Sequence, residues 1–166
     1  MGNLASVSVA YDFPVPLAVG DQAPTFRLTD VATGDIVTKP WAEGPAVIAF
    51  FKVTCPVCQI VAPVIQALAD GGARVLAVGQ DPPERLTAYA QRFSQNVPTV
   101  SESPPYLVSN AYKISAVPTI FLVAQDGTIE HSVGAWNRDR WNAVATALGV
   151  PPVSHEGDGL PVHRPG

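Results

Sequence analysis

The chain has little charge, few histidines and almost no cysteine. Only 14% of its 166 residues are Asp, Glu, Lys or Arg, and ten basic against fourteen acidic side chains leave a net charge of −4. That balance excludes the basic footprint of a nucleic-acid binder. Met1 to Val19 has no basic start and no long apolar stretch, so it reads as neither a signal peptide nor a membrane helix. A cytoplasmic location is the resulting expectation, with no membrane segment. Three histidines, His131, His155 and His163, accompany two cysteines, Cys55 and Cys58. A structural zinc site takes about four ligands, and two of these histidines sit in a polar C-terminal stretch that preorganises little. No metal, prosthetic group or other cofactor is therefore expected. Gly71-Gly72 lacks the Lys and Ser/Thr of a phosphate loop.

Hydrophobic residues are plentiful, at 47% of the chain, enough for one domain with a substantial core. Seventeen prolines and thirteen glycines concentrate at the two ends and between apolar runs, where they act as punctuation. Residues 1–18 read as an N-terminal extension, 19–149 as the folded domain and 150–166 as a flexible C-terminal tail. Thr25–Asp30 and Asp35–Thr38 flank a hairpin turn. Ala46–Phe51 is an unbroken apolar run, the pattern of a strand buried on both faces. Pro56–Asp70 carries Val57, Ile60, Val61, Val64, Ile65 and Leu68 at helical spacing, and Gly71-Gly72 stops it. Arg74–Val78 is the next buried strand. Asp81 is placed to cap a helix running to about Phe93. Val97–Val100 reads as a short strand and Pro105–Tyr112 as a helix. A hairpin through Gln125-Asp126-Gly127 follows, and Asn137–Leu148 is a closing helix. The fold class expected is α/β: a central mixed sheet with helices on both faces and an N-terminal β-hairpin.

The chemistry points to Cys55-Pro56-Val57-Cys58, which falls where the apolar strand gives way to the helix. Pro56 suits the first helical position. Unpaired N–H groups and the positive helix end would stabilise a Cys55 thiolate. Cys58 lies one turn on, within bonding reach, as a more buried thiol that resolves a mixed disulfide. The bland readings are two inert buried thiols or half a zinc site. In a reducing compartment a lone pair is more often catalytic, redox-sensing or metal-binding than a staple. Val117-Pro118-Thr119, directly before the strand Ile120–Val123, is the second feature, because a proline there cannot donate to a ladder. The same tripeptide occurs at Val97-Pro98-Thr99 beside a shorter, more polar strand, which makes Pro118 the better candidate.

Taken in order, these pieces resemble the thioredoxin-like superfamily, in its redoxin branch of TlpA- and ResA-like disulfide reductases, related to the AhpC/TSA peroxiredoxins. Gly20-Asp21-Gln22-Ala23-Pro24-Thr25-Phe26-Arg27-Leu28 looks like the branch's opening segment. Cys55-Pro56-Val57-Cys58 looks like its active site. Val117-Pro118-Thr119 with Phe121-Leu122 and Asp126-Gly127 looks like its cis-proline strand and hairpin. The resemblance implies a cis Pro118 packed over the cysteines, a Val117 backbone that pairs with an extended substrate, and an Asp81–Tyr112 insert usual for the branch. It gives a site of Cys55, Cys58 and Pro118 as catalytic residues, with Val117, Thr54, Pro56 and Val57 contacting substrate. The partners implied are a disulfide-containing protein or small molecule and a cellular thiol reductant.

The departures are specific. Thr54 stands where the family usually has Trp, Ala49 where thioredoxins carry a buried Asp, and Val61 where ResA-like proteins carry Glu. Lys52 and Asp81 are the nearby groups that could take the proton of Cys58. A peroxidase is the rival enzyme, but the P-x-x-x-T/S-x-x-C spacing places Ile48 and Lys52 before Cys55, and Phe51 and Cys55 before Cys58. Peroxidase chemistry through a Cys55 sulfenic acid resolved by Cys58 stays chemically open, as does a redox switch without turnover. Trp141 is expected in the core and Trp136 at a partner surface; Arg138 and Arg140 read as a solvated helix face.

Overall fold

The computed structural model of the protein describes residues 15–166; most of the expected 1–18 extension lies outside the described residues. The organising element is β3 (Ala46–Phe51), whose six residues are all buried. Its side chains alternate between two cores, as a two-residue period requires. Val47, Ala49 and Phe51 join Val61, Leu68 and Trp141 on one face. Ala46, Ile48 and Phe50 join Trp41, Tyr112 and Phe121 on the other. An unbroken apolar run is thus the signature of a strand with no solvated face.

Around β3 the sheet runs in the order β2-β1-β5-β4-β3-β6-β7. The hairpin β1 (Leu28–Asp30) and β2 (Ile36–Val37) forms one edge. β4 (Val75–Gly79) pairs in parallel with β3, from Val47 opposite Val75 to Phe51 opposite Gly79. That direction is reached by a crossover through α1 (Pro56–Asp70). β5 (Thr99–Ser101) continues the parallel part beyond β4. β6 (Thr119–Val123) runs antiparallel on the other side of β3, and β7 (Ile129–Gly134) completes the hairpin at the far edge. The turn between β6 and β7 needs Gly127, whose φ is +90°, in the left-handed region that favours glycine.

α1, α2 (Pro83–Phe93) and α4 (Arg138–Ala147) supply the first core, while the short α3 (Leu107–Ala111) leads into Tyr112 on the second. Val57, Val61, Val64, Ile65 and Leu68 of α1 are buried at helical spacing. Asp81 does not cap α2: Pro82 occupies the cap position without a side-chain bond, and the Asp81 carboxylate instead accepts the Val53 N–H at 2.9 Å. Asn137 does cap α4, accepting the Arg140 N–H at 3.0 Å.

The segment 150–166, expected to be a flexible tail, is instead laid against the domain. Asn142 binds it through Val153 N–H, Ser154 N–H and the Ser154 carbonyl, and Arg138 donates to Ser154, Asp158 and the Leu160 carbonyl. Its residues His163–Arg164 form β9, antiparallel to β8 (Trp136–Asn137). Arg138 is therefore an anchor rather than a solvated side chain, at 11% exposure. Trp136 is no partner surface: its indole N–H donates to the Pro161 carbonyl at 2.7 Å, and its ring packs edge-on against Trp141. Composition misled here, because polar and proline-rich sequence can be ordered by hydrogen bonds from a neighbouring helix.

Leu68 is fully buried between α1 and the sheet. Leu68→Ala is expected to destabilise the fold by about 2–5 kcal/mol, read as a lower urea midpoint at unchanged slope.

Candidate active site

β3 ends at Phe51, and Lys52 to Cys55 turn the chain into α1. The turn is held from both sides. Asp81 accepts the Val53 N–H, and Gln59 Nε2 donates to the Val53 carbonyl at 2.9 Å. Cys55 is the cap of α1, in extended backbone conformation, and its Sγ accepts the Cys58 N–H at 3.2 Å. A sulfur in this position meets an otherwise unpaired helix donor and the positive end of the helix.

The two thiols, both free, differ in surroundings. Cys55 is half-buried and Cys58 fully buried. Burial pushes the Cys58 thiol well above its ordinary pKa, with the neighbouring Cys55 acting in the same direction. Ala49 and Val61, where relatives by resemblance carry acids, are buried and apolar. Of the two groups suggested as substitutes, Asp81 is committed to the Val53 N–H and makes no hydrogen bond to Cys58. Lys52 lines the cleft beside Cys55. Behind the pair lies Tyr89, packed on Phe51 and Phe93, its buried hydroxyl without a hydrogen-bond partner among the described residues.

The Val117–Pro118 peptide is cis. Its loop lies across from the cysteines: the Cys55 thiol donates to the Val117 carbonyl at 3.5 Å. Thr119 Oγ1 donates to the Ala116 carbonyl at 2.8 Å and fixes the loop where β6 begins. Pro118 is buried and Val117 half-buried. The rival tripeptide at Pro98 lies beyond β4, at the start of β5, and carries a trans bond. A cleft of about 440 Å³ runs between the two loops, walled by Thr54, Cys55, Pro56, Val117 and Gly166 among others. Thr54 and Pro56 thus stand exposed beside Cys55, but Val57 does not: it is 6% exposed and faces the first core, as its place on the inner side of α1 dictates.

Residues 19–132 match the AhpC/TSA family. The chain belongs to that family. Among known proteins, this AhpC/TSA-family chain is 26% identical over 122 residues to the thiol-disulfide oxidoreductase ResA of Geobacillus kaustophilus, covering 70% of each chain. It is 30% identical over 147 residues to the methylamine utilization protein MauD of Methylobacillus flagellatus, covering 78% of this chain and 68% of that one. The thioredoxin domain of a thiol-disulfide oxidoreductase from Bacteroides vulgatus superposes with a TM-score of 0.69 at 21% identity, over 80% of this chain and 99% of that one. The mixed sheet with helices on both faces is thus the thioredoxin-like fold of the family.

Sequence reasoning missed Gln59, whose only signal was its place on the first turn after Cys58. It also missed Gly166, which is 111 residues from Cys55 and gave no local signal.

Because the neutral form of Cys58 is favoured, its attack on a mixed disulfide should accelerate with pH. The thiolate fraction grows about tenfold per pH unit below the pKa, so stopped-flow resolution should rise by about that factor per unit between about pH 7 and 9. A flat profile would show Cys58 already ionised.

Proposed function

We propose that the protein is a thiol–disulfide oxidoreductase that reduces protein or small-molecule disulfides through a Cys55–Cys58 dithiol cycle. The observation that carries this reading is the unequal pair at one helix start: Cys55 open to the cleft and accepting the Cys58 N–H, Cys58 buried one turn behind it. The name of the ResA relative, a thiol-disulfide oxidoreductase, supports it.

In the proposed cycle the Cys55 thiolate attacks one sulfur of a substrate disulfide. The substrate S–S bond breaks, the first substrate thiolate leaves and takes a proton from solvent, and a Cys55–substrate disulfide forms. Cys58 then loses its proton and attacks Cys55 Sγ, releasing the second substrate thiol and closing a Cys55–Cys58 disulfide. Two electrons have passed to the substrate, and a cellular thiol reductant returns them. The Cys58 N–H is directed at Cys55 Sγ, so it can donate to that sulfur both when it attacks and when it leaves. Val117 offers its backbone to an extended substrate, Pro118 seats that loop, and Thr54 and Pro56 flank the approach. In the expected cytoplasmic setting a reducing thiol pool drives the cycle toward substrate reduction.

Family membership also brings the peroxidase reading into view. Against it, Ile48 is buried in the second core and Lys52 stands where a hydroxyl would orient peroxide. Reduced protein is expected to reduce insulin with dithiothreitol as electron donor. Cys55→Ser should abolish this. Cys58→Ser should slow turnover by about 100-fold or more and accumulate a substrate adduct detectable by mass spectrometry. Consumption of hydrogen peroxide without insulin reduction would shift the assignment to a peroxidase; neither activity would leave a redox switch.

A further inference from the structure

The arm formed by residues 150–166 leaves α4, returns along the outer side of α1 and reaches the cysteine cleft. It starts where Val150 sits on Gly71 at the far end of α1, a place where any Cβ on residue 71 would overlap the Val150 side chain. Val153 and Leu160 pack toward Ile60, Pro63 and Val64 of the same helix. The Asp158 carboxylate gathers the arm's own turn, accepting from Ser154 Oγ, His155 N–H and Leu160 N–H as well as from Arg138. Val162 still accepts the Arg138 N–H at 2.8 Å. Beyond it the hold weakens to a two-residue ladder on β8, and 163–166 are exposed. Gly166 nevertheless reaches the cis-proline loop. It sits so close to the Val117 carbonyl that a Cβ on residue 166 would overlap it, and it walls the same cleft as Cys55. Among the described residues no hydrogen bond joins 163–166 to that loop, so the contact is steric.

We propose that residues 163–166, the tip of this arm, carry Gly166 into the backbone position beside Val117 that an extended polypeptide disulfide would take, and so set substrate selectivity. The inference rests on the oxidoreductase reading for its substrate. Small disulfides reach Cys55 through the open part of the cleft, while extended polypeptides displace the tip first. The two parts of the arm suit this division. Residues 150–162 carry the side-chain anchors and stay in place; the tip has only a short ladder to lose. The absence of a side chain at Gly166 lets the tip lie directly on the carbonyl. A ligand that needs the open tip binds in proportion to the open fraction.

The test uses two changes outside the anchors. Gly166→Leu expels the tip by overlap with Val117, and deletion of 163–166 removes it while keeping the bonds to Arg138 and Asn142. In a Cys58→Ser background, Cys55 is modified either by iodoacetamide or by an extended decapeptide whose single cysteine carries a thionitrobenzoate leaving group. The peptide reaction, which forms a Cys55–peptide disulfide and releases thionitrobenzoate, is expected to speed up by about tenfold or more in both variants, with the iodoacetamide rate within about twofold of the parent. Unchanged peptide rates, or equal acceleration of both reagents, would overturn the proposal. The readout needs no turnover: selective acceleration in a protein that fails to reduce insulin would uphold the arm's role and sink the oxidoreductase reading alone.

Discussion

Burial of β3 on both faces is the constraint on which the rest depends. Six consecutive apolar residues have no solvated side to offer, so they must be flanked by strands and covered twice. A fully buried Val, Ile or Phe contributes about 1.5–3 kcal/mol by leaving water, and Phe50 and Phe51 place that burial at the very end of the strand. The chain therefore leaves the sheet from a rigid point. Lys52 to Cys55 inherit that rigidity, and the Asp81 and Gln59 bonds to Val53 complete it from α1 and from the loop after β4. Strand, turn and helix start form one positioned unit, with the sulfur of Cys55 as the helix cap.

This geometry also explains why two thiols of the same kind have different surroundings. Residues 55 and 58 are one helical turn apart, yet one caps the helix at the surface and the other projects into the core. The first accepts the Cys58 N–H at the helix start; at the second, desolvation opposes charge. Apolar residues at 49 and 61 leave that opposition uncompensated, and the resolving step proposed for Cys58 carries the consequence. The cis-proline loop closes the site from β6, adjacent to β3, so both halves hang on the same central strands.

Much of this was legible in sequence where the signal is local. The two-sided strand, the bounds of α1 from Pro56 to Asp70, and the hairpin at Asp126-Gly127 follow from apolar periodicity and from residues that start and stop elements. Errors arose where distant partners decide. Asp81 has the chemistry of a cap, but Val53 claims its carboxylate from another loop. Val57 is a different case: the resemblance made it a substrate contact, while the local helical spacing it shares with Val61 and Val64 already turned it inward. Residues 150–166 have the composition of a loose tail; Arg138, read as part of a solvated helix face, and Asn142, which gave no signal, order them. Trp136 lost its expected surface for the same reason, since the arm covers it. No short-range pattern connects Gly166 to Val117.

The most direct test of the central claim, that Cys55 and Cys58 form one reversible dithiol couple, is an equilibrium titration in dithiothreitol or glutathione buffers with the thiols counted by alkylation and mass. The account predicts a single transition in which both thiols appear together, with a two-electron slope of about 30 mV per tenfold change, and its loss in Cys58→Ser. Independent titration of the two cysteines, or no intramolecular disulfide at any oxidising poise, would contradict it.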